Sequence, residues 1–411
     1  MKIVGLITEY NPFHNGHKYH IEQALKETGS DMAVVVMSGD FVQRGTPAIM
    51  PKHLRTKAAL MSGAAAVFEL PVIYACSSAE YFATGAVSLL HSLGCVDSIC
   101  FGGECTHIDL MKKIAHILVD EPEEYKILLQ CFLKKGNSFP VSRKLAVEAY
   151  TGNPEYGKIM DTPNNILGIE YIKAGLRLNS RIEFHVLKRI SSGYHDSELK
   201  GGLSSATSIR NLIESQNVFP SKLLYDQIPA EVCSLLSNNY NSMFPLTADD
   251  FSLLLHYKLL GENGNSLLSY ADMSVELANR IMKNLNEFRN WTQFCNLLKT
   301  KEVTYSRISR CLLHVLLNIK TDDYKNIDPL RPVPYARMLG FSSPHKEILS
   351  VIKKSSTIPV ITKIGSASFD SKALRLLLEK DLYTSNVYQT VLSHKFDQPF
   401  LHETQKQIII V

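Results

Sequence analysis

Short runs of β-branched and aliphatic residues alternate with amphipathic stretches through the first 210 positions. Ile3 to Thr8, Met32 to Met37, Ala65 to Leu70 and Ser98 to Phe101 read as strands, while Tyr19 to Glu27, Lys52 to Ser62 and Ala79 to Ser92 read as helices. That order predicts a parallel sheet with helices on both faces. Residues 106 to 150 look helical, and a further strand, Arg181 to Leu187, precedes a Gly/Ser-rich segment and a helix opening near Thr207. From about residue 216 the pattern turns helical. Thr247 to Asp250 resembles a capping box for Phe251 to Leu260, and Ser274 caps Val275 to Phe288. Thr304 to Ile319 carries Ile308, Leu312, Val315, Leu316 and Ile319 on one stripe. Lys346 to Lys354 and Ser371 to Leu382 are helical again, with a strand at Ile358 to Thr362. The expectation is an α/β domain over 1–215, followed by a mostly α-helical domain over 216–411.

Composition narrows the class. A chain of 411 residues exceeds what one core usually serves, and 45% hydrophobic with 20% charged residues is ordinary globular usage. No apolar run approaches the roughly 20 residues of a membrane span, so no membrane is expected and the chain is read as cytoplasmic. The opening MKIVGLITEYNPFHNGH reads as a strand, because Glu9 and two histidines stand where a leader would have its small-residue cleavage site. Eight cysteines contain no C-x-x-C pair, which points to reduced thiols. The net charge of +4 is unevenly spread: residues 301 to 411 hold 16 basic and 10 acidic residues, an excess of +6. A solvated surface explains that excess unless the substrate is a polyanion.

The densest chemistry is Glu9-Tyr10-Asn11-Pro12-Phe13-His14-Asn15-Gly16-His17, between the first strand and the first helix. In open α/β sheets ligands bind at the carboxyl ends of strands. Gly16 lets a nucleotide approach backbone, and two imidazoles three apart at a helix N-terminus suit phosphate groups. Two such histidines also fit a metal pair or plain surface, but no third ligand is suitably spaced. A second cluster, Ser204-Ser205-Ala206-Thr207-Ser208-Ile209-Arg210, reads alone as an ordinary helix cap; together with the first it offers hydroxyls, free N–H groups and a guanidinium to a second anion. Ser38-Gly39-Asp40 and Gln43-Arg44-Gly45 stand at the same sheet edge. Lys52, His53, Arg55 and Lys57 read as a solvated basic helix start. His107, His116, His185, His256, His314 and Trp291 read as structural.

The pair H-x-G-H and S-S-x-T-x-I-R resembles the nucleotidyltransferase superfamily, whose second motif runs I-S-S-T-x-I-R. Here Ser204 takes the leading apolar position and Ala206 the second Ser, a departure that touches one phosphate-binding hydroxyl. The strings ITEYNPFHNGHKYH, SGDFVQRGTPA, ELP, CFGGE, TPNNILGIEY and PYARMLGF together resemble the bacterial tRNA(Met) cytidine acetate ligase family over nearly the whole chain. The resemblance implies a Rossmann-like nucleotidyltransferase domain that joins acetate to ATP as acetyl-adenylate and acetylates N4 of the wobble cytidine of elongator tRNA(Met). It assigns His14, His17 and Arg210 to catalysis. It assigns ATP binding to Ile7, Thr8, Glu9, Tyr10, Asn11, Pro12, Phe13, His14, Asn15, Gly16, His17, Lys18, Tyr19 and His20, and further to Gly102, Asn164 or Asn165, Arg189, Ser205, Thr207 and Arg210. With tRNA as the polyanion, Arg307, Arg310, Arg331, Arg337, Lys353 and Lys354 become candidate backbone contacts. ATP is the co-substrate with Mg²⁺ as its companion, no dedicated metal ligands are identified, and acetate and tRNA are the partners. The rivals are an adenylyltransferase acting on pantetheine phosphate or nicotinate mononucleotide, and a nucleotide-sensing or RNA-binding protein with a degenerate site.

Overall fold

The computed structural model describes residues 1–189, 205–215, 221–325, 327, 332–366 and 372–411. Its strands are β1 (Ile3–Thr8), β2 (Met32–Ser38), β3 (Phe41–Val42), β4 (Thr46–Pro47), β5 (Ala66–Leu70), β6 (Ser98–Gly103), β7 (Glu183–Lys188), β8 (Ala336–Phe341), β9 (Val360–Ile361) and β10 (Ile409–Ile410). The main sheet runs β10-β8-β5-β2-β1-β6-β7, with β9 beside β8, while β3 and β4 form a separate hairpin. Every pairing in the main sheet is parallel except β5 with β8.

Every residue of β2, MAVVVMS, is buried. A central parallel strand is covered on both faces, so it shows an apolar run where a half-exposed strand would alternate. Its side chains still divide by parity. Met32, Val34 and Val36 join the core beneath helix Ala79–Ser92 and the helical region. Ala33, Val35 and Met37 join the opposite core, where Ile209, Ile213, Val232 and Phe244 pack.

The strands and helices expected from the first 210 positions are present. The first helix spans Asn15–Thr28, starting earlier than the apolar pattern showed because the His14 side chain caps it. Helices fill most of 222–325, as expected. The sheet, however, draws on both sides of residue 215. The segment PYARMLGF supplies β8, antiparallel to β5, and β10 follows it. The last long helix, Lys372–Phe396, runs well past Leu382; the apolar pattern ends early because buried Asp381, Thr384, Ser385 and Gln389 interrupt its stripe.

The helical region is fastened to the sheet edge at the β3–β4 turn. Gly45 has φ of 76°, and a Cβ there would lie 2.3 Å from the Arg310 nitrogen, so only glycine admits helix Tyr305–Leu317 this close. Ser309 Oγ donates to Gly45 O at 2.7 Å.

Candidate functional site

Strand order places β2 and β5 on one side of β1, and β6 and β7 on the other, so the chain reverses direction across the sheet between β1 and β6. Ligands of open α/β sheets bind in the crevice outside such a switch point. The loop Glu9–His14 leaves β1 there. It is rigidly seated: Tyr10 and Phe13 are buried, with ring centroids 4.8 Å apart, and Asn11 Oδ1 accepts from Ile49 N at 2.8 Å.

His14 Nδ1 accepts the Gly16 N–H at 3.0 Å, so the neutral ring carries its proton on Nε2. The His14 and His17 rings lie 3.8 Å apart, centroid to centroid, tilted by 30°. His17 Nδ1 and His20 Nε2 are shut from solvent without a hydrogen-bond partner among the described residues. Burial, then the positive fields of Arg189 and Arg210, pushes His14 down to about 3. Burial and then Arg189 push His20 down to about 4, against a backbone contact at Cys100. Burial, then the His14 and His20 rings and Arg189, holds His17 well below the usual histidine range. All three imidazoles are therefore neutral at neutral pH.

The second motif is brought to the first. Ser205 Oγ accepts from Ser208 N at 3.1 Å and so caps helix Ala206–Ser215, while Ile209 and Ile213 anchor it in the core. Arg210 Nη1 donates to Asn11 O at 2.6 Å, and Nη2 to Thr207 Oγ1 at 3.1 Å. Ser204 lies outside the described residues.

Beyond β6 the loop is tied down by asparagine. Buried Asn165 accepts from Glu104 N at 2.9 Å and Cys105 N at 3.1 Å. Half-buried Asn164 accepts from Arg189 Nη1 at 3.2 Å and donates to Glu104 Oε1 at 2.5 Å. The sequence leaves these two asparagines interchangeable; their placement separates a loop anchor from a solvent-side group. A Cβ on Gly102 would meet only Arg189, its Cγ at 3.0 Å, whereas one on Gly103 would meet Val186 Cγ2 at 2.8 Å and Asn165 Oδ1 at 3.0 Å. Gly103 is thus the residue packing demands, a position that nothing in the sequence pattern singles out. A groove of about 590 Å³ continues outward between Tyr19, Gln23, Glu27 and residues 186–189.

Other residues of the 7–20 stretch are engaged elsewhere. Lys18 Nζ pairs with Glu231 at 2.8 Å, and Asn15 Nδ2 donates to Asp226 O at 2.9 Å. Ile7 and Thr8 close β1 half-buried.

Two expectations are corrected. Lys52 and Arg55 are not solvated surface, since both are wholly buried. Lys52 Nζ meets Glu69 at 2.6 Å, Glu403 at 2.9 Å and Asp40 at 3.6 Å. Arg337, a candidate tRNA contact, is 3% exposed and bound to Glu69 at 2.7 Å and Glu403 at 2.5 Å. A guanidinium so engaged is not presented to an RNA phosphate. The missed signal was Glu69 inside the apolar strand AVFEL, because a carboxylate buried at mid-strand demands cations. Of the remaining candidates, Arg307, Lys353 and Lys354 are exposed, Arg310 lies 3.4 Å from Asp272, and Arg331 is outside the described residues. Among the described residues no three or more His, Cys, Asp or Glu side chains group to hold a metal, and no helix is long and apolar enough to cross a membrane. All eight cysteines are free thiols.

The family model of the HIGH nucleotidyl transferases matches residues 1–402. The chain is 42% identical to a tRNA(Met) cytidine acetate ligase of Clostridium acetobutylicum, with 100% of each covered. It is 41% identical to one of a Thermoanaerobacter species, covering 94% of this chain and 95% of the relative. The crystal structure of Thermotoga maritima TmcAL bound with alpha-thio ATP is similar at a TM-score of 0.91 and 31% identity, with 100% of both chains covered. The apo form of that protein gives a TM-score of 0.93 at 31% identity, covering 100% of this chain and 99% of the other.

Proposed function

The chain belongs to the HIGH nucleotidyl transferases and, within them, to the tRNA(Met) cytidine acetate ligase family, and on that premise we propose how its own residues carry out the ligation. Acetate attacks the α-phosphorus of ATP at the crevice between β1 and β6, giving acetyl-adenylate and pyrophosphate. The N4 amine of the wobble cytidine of elongator tRNA(Met) then attacks the acyl carbon, an N–C bond forms, and AMP leaves with loss of a proton.

Adenylyl transfer requires little covalent help and much stabilisation of charge on the phosphoryl oxygens and the departing pyrophosphate. With Nδ1 committed to Gly16 N, His14 has its Nε2–H to offer to an anion. His17 stands against it on the same helical turn. Arg210 donates to a carbonyl and a hydroxyl, both neutral, so its charge remains for the β- and γ-phosphates, with the helix start at Ser205 and Thr207 beside it. Arg189, bound to a neutral amide, serves the nucleotide from the β7 side. Mg²⁺ enters this reading only as the companion of the ATP phosphates, for which it needs no all-protein cage. Exposed Arg307, Lys353 and Lys354 contact tRNA backbone phosphates, which position RNA without reading its sequence.

The observation that carries the reading is the bond from Arg210 to the carbonyl of Asn11, which joins two motifs far apart in sequence into one anion-binding corner. The test is ATP–pyrophosphate exchange with the purified chain, followed by mass analysis of tRNA incubated with ATP and acetate. Exchange should require acetate, and methionine tRNA should gain one acetyl group. Exchange indifferent to acetate would favour adenylyl transfer to a phosphorylated metabolite, and tRNA that gains no acetyl group would end the ligase reading.

A further inference from the structure

The first turn of helix Lys52–Met61 holds an arginine with no carboxylate at ion-pair distance among the described residues. Arg55 is 0% exposed, yet its partners are backbone carbonyls. Nη1 donates to Glu9 O at 2.6 Å and to Ser38 O at 3.0 Å, Nε donates to Met50 O at 3.0 Å, and Nη2 donates to Gly39 O. Burying a guanidinium without a counter-charge is unfavourable, and burial does depress its basicity even with Asp40 and Glu9 in electrostatic reach.

The placement of the four carbonyls gives the reason. β1 and β2 are neighbours, with Thr8 opposite Met37, and their carbonyls lose ladder partners where the strands end. One planar fork spans both ends, joining the first residue of the loop that carries His14 and leads into the helix of His17 to the turn Ser38-Gly39-Asp40. Arg210 holds the same loop at Asn11, and Ile49 N holds its Asn11 side chain, so the loop is fixed at two points. We propose that Arg55 is a positioning residue for adenylyl transfer, setting the imidazoles at the spacing the phosphate chemistry needs. This rests on the ligase reading above. Lysine cannot replace it, because one ammonium on a flexible stem cannot reach carbonyls arranged around a planar fork.

The decisive experiment compares wild type with R55K and R55A in acetate-dependent exchange, alongside amide hydrogen exchange of residues 9–16. Displacing catalytic groups by about 1 Å costs on the order of a hundredfold in rate. Folded R55K should therefore lose about a hundredfold in kcat while KM for ATP changes by less than about threefold, since binding of the ground state survives better than the transition-state fit. Loop amides should exchange at least about tenfold faster in R55K. Millimolar guanidinium, but not methylammonium, should restore both kcat and loop protection in R55A, which a merely destabilised fold would not show. R55K with wild-type turnover and unchanged loop protection would overturn the proposal, as would guanidinium failing to restore either quantity, or failure of both variants to fold. Wild-type protein that exchanges without acetate would sink the ligase reading alone, because loop protection reports on Arg55 without turnover.

Discussion

Two charged clusters sit at the carboxyl edge of the same sheet and follow opposite rules. In the first, buried Lys52 and Arg337, with half-buried Lys406 at 3.3 Å from Glu403, are matched by buried Glu69, Glu403 and Asp40, and Glu69 and Arg337 stand directly opposite on β5 and β8. Burial alone would raise the Glu403 carboxyl, yet Lys52, His53 and Arg337 hold it far below the usual carboxylate range. In the second, Arg189 and Arg210 meet an amide, a hydroxyl and a carbonyl, and three imidazoles beside them are held neutral. The first cluster is electrically closed and works as a clamp between the first helices and the C-terminal segment. The second leaves positive potential unspent, which is what a tetra-anionic nucleotide requires.

The largest expected effect comes from opening the closed cluster. Lys52→Met removes the cation shared by Glu69, Glu403 and Asp40 and leaves carboxylates uncompensated in the core. Breaking a buried pair in this way costs about 3–5 kcal/mol, so chemical unfolding should show a loss of that size, whereas a loss below about 1 kcal/mol would mean the cluster is loosely held. The open cluster should respond the other way. His17→Ala leaves the fold standing, and acetate-dependent exchange should fall by about 10²- to 10³-fold, the usual consequence of deleting one donor to developing charge. Folded His17→Ala protein that exchanges at the wild-type rate would remove His17 from the chemistry.

Acid separates the clusters a third way. His14 has a folded pKa near 3, below its unfolded value of 6.5, so the unfolded chain binds the extra proton. Its contribution to stability is complete above pH 6.5 and is lost as pH falls toward 3. Between pH 6.5 and 5 the loss should approach about 2 kcal/mol, and His20 acts in the same direction. Glu403, ionised throughout in the closed cluster, should contribute nothing over that range. In denaturant unfolding at pH 7 and pH 5, His14→Asn, whose side chain still caps the helix, should shrink the acid loss by about that amount. An equal loss in both proteins would place the acid sensitivity elsewhere.

What could be read in advance follows the same division. The site loop was legible because its signals are local: a strand, then Pro12, Gly16 and two histidines before a helix, all within one short stretch. The β1, β2, β5 and β6 strands were legible for the same reason, as short, mostly apolar runs between helical stretches. Arg55 and Lys52 were not. In KHLRTK they resemble a polar helix face; only the distant Glu403 and Ser385 reveal Lys52 as buried, and only the carbonyls of Glu9, Ser38 and Gly39 reveal Arg55. β8 escaped because Arg337 interrupts a short apolar run, and a charge inside a strand reads as a loop until its cross-strand carboxylate is known. Charge count alone made Arg337 a candidate for tRNA. Net charge along a segment reports its composition, whereas contact with RNA needs the exposure that folding decides.

The smallest effect concerns the basic residues that folding did leave outside. Lys353 and Lys354 lie exposed in the last turn of helix Glu347–Ser355, with no carboxylate paired to either among the described residues. If they touch tRNA, each neutralises about one phosphate and releases its counterion. Lys353→Glu with Lys354→Glu should then weaken tRNA binding and flatten the slope of log affinity against log salt by about 0.7 to 0.9 for each phosphate no longer neutralised. Arg337→Lys serves as the internal comparison, since its cation is spent on Glu69 and Glu403 and should leave the salt slope as it was. Fluorescence titrations of labelled methionine tRNA across a range of potassium chloride concentrations would read both slopes. Equal slopes for wild type and the double reversal would make this surface merely solvated, and would move the search for the RNA face toward Arg307 and the helical region beside the β3–β4 turn.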